Sequence, residues 1–324
     1  MKIVLDIAQL VKDGELSAAQ AERLRALAIR ETGSFGINIL LAFGVVAVAG
    51  GIIALYPSEE VAFAIGAILV GCGLALQRLK ADNWGPLGAA NVMIGALTVS
   101  ASLVLMLVGS ALAYSLVTLI LLGLGIVTRS GLLTALSVFA LAALLGSSTG
   151  YMHAAYFLII REATIVIVVF SVLALGVFIL SKRLSAPFER LALIYSRVCL
   201  ILVNFGFWVG SLWGDYPGES WLQDDIFENS AAFWNSQGEW RGAALFMSDV
   251  VFVVLWALAL MAVGAWGVRT NRRFVVNTAV VFAAIHFYTQ WFERLGAMPS
   301  TIIISGVIAI ALAVGLWKYN RLEA

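Results

Sequence analysis

Apolar runs of about twenty residues recur along this chain, and a run of that length has one common use. Crossing ~30 Å of hydrocarbon takes roughly 20 helical residues, with about 17 tolerated. Such runs lie at Gly36–Tyr56, Val61–Leu76, Pro86–Val108, Leu112–Val127, Leu132–Gly146, Ala163–Leu180, Leu191–Trp213, Ala244–Trp266, Phe274–Phe292 and Thr301–Trp317. The fourth and fifth are short. Tyr151–Ile160 is a further apolar piece that either extends a neighbouring span or lies in the interface, so nine to eleven spans fit the pattern. Only 12% of the 324 residues are charged, against about 25% in soluble domains. A core of this size cannot hide so much apolar surface from water, which leaves lipid as its solvent. The expected fold is therefore all-α, a polytopic membrane helical bundle of about ten transmembrane helices.

Basic residues orient it. With the N-terminus inside, the cytoplasmic segments collect five bases in the first thirty residues, then Arg78, Lys80, Arg129, Lys182, Arg183, Arg190, Arg269, Arg272, Arg273, Lys318 and Arg321. The outer loops hold only Arg161, Arg241 and Arg294, and Arg197 lies inside the seventh run near its inner end, where it is expected to snorkel to the headgroups. This is a strong positive-inside bias, and it requires an even number of spans. Trp213 and Trp291 mark outer ends, while Trp84, Trp266 and Trp317 mark inner ends, as amphipathic rings at headgroup level should. Both termini are thus expected in the cytoplasm. The mixed charges of the first thirty residues do not resemble a cleavable signal, whose apolar region would come sooner.

Two stretches lie outside the spans. Residues 1–35 read as a cytoplasmic helical hairpin: Ile3, Ile7, Leu10 and Val11 share a face, Asp13-Gly14-Glu15 turns, and Ser17-Ala18-Ala19-Gln20 is a capping box. So small a hairpin cannot bury its own core, so its stripe (residues 1–32) docks on the membrane domain, on a second copy, or on a cytoplasmic partner. The remaining organisation is seven spans over residues 36–213, a loop over 214–243, and three spans with a short tail over 244–324. That loop, Gly214–Ala243, carries six acids against Arg241, with Trp221, Trp234 and Trp240 interleaved. It is either a lid over an outer mouth or a cap on the membrane surface.

Ionisable groups inside spans are costly and mark partners or cavities. The first five runs hold none beyond the Cys72 thiol and the phenols of Tyr56 and Tyr114; Asn38, Asn91 and several Ser and Thr there suit helix contacts. Cys72 and Cys199 are expected as free packed thiols. The ninth run differs. At roughly 100° per residue, His286, Gln290 and Glu293 fall within about 60° of one another on one face. His286 lies six residues from its outer end, and Asp249 five from the outer end of the eighth run, so the two are expected at one depth. Asn204 sits mid-span in the seventh run, which leads up to Asp215. These six residues form either a polar pocket for a cation or proton-coupled solute, or a clamp in which Asp249 and His286 pin two helices.

Catalytic signatures are absent: no His-Glu-x-x-His, no Gly-x-Ser-x-Gly, no phosphate loop. An intramembrane enzyme built on Asp249 and Glu293 has no motif behind it. With only His153 and His286 available, no metal site is expected, nor any cofactor, and a net charge of +1 points away from nucleic acid.

The pattern Leu10-x3-Gly14-x-Leu16-Ser17-x2-Gln20-x3-Leu24, followed by Gly33 and a first run rich in glycine (Gly44, Gly50, Gly51), resembles domain-of-unknown-function family 2157. These are bacterial membrane proteins without an assigned activity, and the likeness covers about the first 55 residues and the many-span layout. It implies a bacterial inner-membrane location and no site residues. The sequence is read first as a transporter of a small solute or ion. The alternative is a non-catalytic membrane scaffold or sensor, acting through the hairpin inside and the loop outside.

Overall fold

A computed structural model describes residues 40–79, 84–152, 155–219, 238–296 and 298–322, together with Ser17, Gln20 and Ala21. A helix occupies the place of every apolar run: α1 (Leu40–Leu55), α2 (Glu59–Arg78), α3 (Gly85–Met106), α4 (Ala111–Thr128), α5 (Gly131–Leu144), α6 (Ala163–Ser181), α7 (Ala186–Trp213), α8 (Asp249–Arg269), α9 (Arg273–Leu295) and α10 (Pro299–Leu322). Six of them, α2, α3, α4, α6, α7 and α8, are long and apolar enough to cross a membrane. The apolar stretches of α1, α5 and α10 are shorter. At 23 residues α9 has the length, but it carries Asn277, His286, Gln290 and Glu293 among its apolar residues.

Large apolar side chains point outward: Leu119 and Val172 are each 66% exposed and Ile303 67%. Water opposes a surface of that kind and hydrocarbon does not. The chain is a helical membrane protein.

One open alternative is removed and one expectation corrected. Tyr151–Ile160 does not extend a neighbouring span: β1 (Ser147–Met152) and β2 (Ala155–Ile160) pair antiparallel, with Ser147 opposite Ile160. Tyr156, Phe157, Ile159 and Ile160 favour the pleated conformation. The hairpin is the exception to the all-helical reading, and because its ends are paired it returns the chain to its starting point. The eighth run does not begin its helix at Ala244. Met247 is extended and exchanges two backbone bonds of 2.9 Å with Asp215, so α8 starts only at Asp249.

The chain divides into two compact units, Met1–Leu133 and Thr134–Ala324. In the first, α2 and α3 run antiparallel with backbones in contact at Gly66, Gly73, Gly88 and Gly95. The glycines recur at two-turn spacing on each helix, which places them along one seam. Ser58 caps α2 by accepting the Val61 N–H at 3.2 Å. The hydroxyls of Thr98, Ser100 and Ser102 donate to carbonyls one turn back at 2.7–2.9 Å. These hydroxyls are satisfied within their own helix. Near the start of the chain, the Ser17 N–H donates to Gln20 Oε1 at 3.0 Å and the Gln20 N–H to Ser17 Oγ at 3.3 Å, the reciprocal bonds of a capping box. The rest of the expected hairpin lies outside the described residues.

The turn from α3 to α4 places Val108 at φ 49°, a left-handed conformation that crowds a β-branched side chain at a cost of roughly 1–2 kcal/mol. Val108 is 90% exposed, so no packing is lost on replacing it. Val108→Asn is expected to raise stability by about 1 kcal/mol, read as a higher melting temperature in detergent; an unchanged or lower one contradicts the strain.

Candidate functional site

In the second unit α6, α7, α8 and α9 pack through small residues. Gly206 of α7 faces Val166 and Ile167 of α6, Gly210 meets the Phe252 ring of α8, and Gly267 of α8 meets Val275 and Val276 of α9. Trp256 is completely buried at the middle of this packing. Its indole N–H donates to Asn204 Oδ1 at 3.0 Å, its ring stacks parallel to Phe207, and the His286 ring stands edge-on to it with centroids 4.8 Å apart. Asn204 also donates from Nδ2 to the Leu200 carbonyl at 2.8 Å. Beside this layer, Trp208 Nε1 donates to Thr289 Oγ1 at 3.0 Å.

The structure brings Asn204 and His286 together through Trp256, which the sequence did not single out. It does not bring Asp249 to them. The contacts Gly267–Val276, Gly264–Ala279 and Trp256–His286 step evenly along the antiparallel pair α8 and α9. Continued, that register carries Asp249 to the level of Glu293, and both are exposed. Gln290 lies one turn beyond His286 on the same face. The buried atoms His286 Nδ1, Gln290 Nε2 and Trp291 Nε1 have no hydrogen-bond partner among the described residues.

Arg197 lies with its guanidinium 4.9 Å above the Phe274 ring of α9, so this cation meets an aromatic face rather than only headgroups. Cys199 is buried and Cys72 exposed, and both are free thiols.

Asp215 belongs to a separate assembly. Beyond Gly214, whose φ of 69° and closeness to Phe246 and Met247 leave no room for a side chain, the chain turns Asp215 inward to 6% exposure. Its Oδ2 accepts the Thr164 N–H at 2.7 Å, at the start of α6. In return Glu162, fully buried, accepts the Gly218 N–H through Oε2 at 2.7 Å. Both carboxylates therefore bond a backbone N–H of the opposite segment, and Asp215 also meets the positive end of the α6 dipole. Burial pushes the Asp215 carboxyl above its ordinary range; bonds from Thr164 pull the other way, and the Glu162 charge adds to the rise. The returning segment, a short helix over 238–243 and then an extended stretch to Met247, completes the joint: Phe246 packs on Tyr216, and Arg241 lies over the same ring while its Nε donates to Glu219 at 2.8 Å. Arg241 and Glu219 are partly exposed, so replacing Glu219 by Gln is expected to cost no more than about 1 kcal/mol; a larger fall in melting stability would make this pair, rather than the carboxylates, the main hold on the loop.

Two grooves open on the helical surfaces. One of about 310 Å³ in the second unit is floored by Ala257, Gly264, Ala279 and Ala283, with His286 at its edge. One of about 410 Å³ in the first is walled by Phe63, Val99 and Leu119. Both linings are apolar, a chemistry suited to hydrocarbon rather than to an ion. Among the described residues no three His, Cys, Asp or Glu stand together as metal ligands. No known family, curated protein or solved structure matches this chain.

Proposed function

We propose that this is a bacterial inner-membrane protein crossing the bilayer ten times, with both termini cytoplasmic, and that it works as a non-catalytic scaffold or sensor. The span count and orientation rest on the ten helices, the even parity kept by the β-hairpin, and the positive-inside bias. The bacterial location rests on the N-terminal resemblance. The scaffold reading is carried by one observation: the interior of the second unit, where the polar residues of the spans gather, is filled by the fully buried Trp256, bonded to Asn204 and flanked by Phe207 and His286. On this reading residues 1–32 face a cytoplasmic partner or a second copy, and the outer loop faces the periplasm.

Transport of a small solute or ion is the second reading, favoured by the unpartnered polar atoms of His286 and Gln290 on one face of α9. Water reactivity separates the two. With Cys72 and Cys199 replaced by Ala, single cysteines are placed at His286 and Gln290 in lipid nanodiscs and exposed to a small charged thiosulfonate. The scaffold predicts modification far slower than at the exposed control Ser185→Cys. Rates matching that control would establish a water-filled path and favour the carrier.

A further inference from the structure

The outer loop is joined to α6 by two buried acids that answer each other. Asp215 reaches from the loop to the Thr164 N–H, and Glu162 reaches from α6 to the Gly218 N–H, each at 2.7 Å. A buried carboxylate pair of like charge is an unusual fastening. Full ionisation sets the two charges against each other, and a proton on one of them removes that repulsion while leaving both N–H bonds in place, since a neutral carboxyl oxygen still accepts. We propose that the Glu162–Asp215 pair is a proton-dependent latch, which holds the outer loop to the start of α6 at acid pH and loosens as pH rises. Such a latch operates whether or not the bundle carries a solute.

The direction follows from linkage. Burial raises the proton affinity of Asp215 in the latched state above that of the same carboxyl in a released, solvated loop. Such a group stabilises the latch fully below the ordinary aspartate range, and the stabilisation is lost as pH rises through the raised latched-state value. The remaining charged and titratable groups on the packed segments are Arg161 before α6, Tyr216 and Glu219 after Asp215, Glu239 and Arg241 on the short helix of the returning segment, and Asp249 at the start of α8. Of these, Arg241 lies over Tyr216 and is bonded to Glu219, so that pair fastens the loop by a means independent of Asp215. Asp249 is exposed at the first turn of its helix.

Hydrogen exchange reads the latch at its own amides. The full chain in nanodiscs is labelled across pH 4.5 to 8.5, and peptides covering residues 161–166 and 214–219 are followed by mass spectrometry, with rates divided by the intrinsic exchange rate at each pH. The expected result is protection that falls several-fold with rising pH in both peptides together, while a peptide from the middle of α7 stays level. Asp215→Asn, a neutral near-isostere, should hold protection at the acid level throughout. Glu162→Gln, which removes the like charge, should move the midpoint to lower pH. A flat or rising wild-type profile overturns the proposal, as does an Asp215→Asn chain that keeps the wild-type slope. An unmoved midpoint in Glu162→Gln overturns the coupling of the pair. If Asp215→Asn does not fold, the wild-type profile and the Glu162→Gln midpoint still decide.

Discussion

Gly95→Ala is expected to lower the melting temperature of the protein sharply, whereas Gly71→Ala, on the neighbouring helix, should leave it unchanged or raise it. A methyl group on Gly95 would sit 2.6 Å from the Gly66 carbonyl oxygen and 2.8 Å from the Val70 nitrogen. Both obstacles are backbone, so relief requires α2 and α3 to separate along their length. Gly73 meets the same obstacle at 2.7 Å from the Gly88 oxygen and the Val92 nitrogen. In lipid, helix association depends on close van der Waals approach rather than on hiding apolar surface from water. Forcing the seam apart thus removes the main attraction, at a cost of roughly 1–3 kcal/mol per site. Gly71 has nothing within 4 Å of its missing side chain, and alanine there gains up to about 1 kcal/mol of helix propensity. Equal effects at Gly71 and Gly95 would show that propensity, not the seam, governs the pair.

The second large effect belongs to the Asn204–Trp256 bond. Asn204→Leu leaves the fully buried indole N–H without its acceptor, a loss of about 1–3 kcal/mol. Trp256→Ala empties the centre of the second unit and should cost about 3–5 kcal/mol. The informative variant is the pair Asn204→Leu with Trp256→Phe. It removes both polar ends while keeping a ring between Phe207 and His286, and should be more stable than the sum of the single changes predicts. Strict additivity in melting measurements would mean that the bond contributes nothing beyond the packing of its two side chains.

Much of this architecture is legible in the sequence, because hydrocarbon imposes a length on apolar runs and each run did become a helix. The boundaries that fail are instructive. Ala244–Met247 is as apolar as a span, yet Met247 is drawn into a backbone bridge with Asp215, and hydropathy does not distinguish a strand-like apolar tetrapeptide from a helical one. Starting α8 at Ala244 placed Asp249 five residues too deep, about 7.5 Å at 1.5 Å per residue, and so matched it to His286. The shared face of His286 and Gln290 needed only the helical period. Their neighbour Trp256 was not found, since a tryptophan amid apolar residues carries no polar signal of its own. Glu162 was not singled out in the sequence; an acid immediately before a helix was the available clue. The spacing of Gly66 with Gly73 and of Gly88 with Gly95 was also visible, but which glycines meet another backbone depends on the pairing of the helices.

Ten crossings with both termini on the cytoplasmic side, as proposed above, fix which loops an impermeant thiol reagent can reach in intact cells. With Cys72 and Cys199 replaced by Ala, single cysteines at Pro57, Glu239 and Ser300 are predicted to react from outside. Cysteines at Ser185 and Thr270 are predicted to react only after the membrane is permeabilised. Labelling of Thr270→Cys in intact cells, or protection of Glu239→Cys, would contradict the arrangement of the entire C-terminal half.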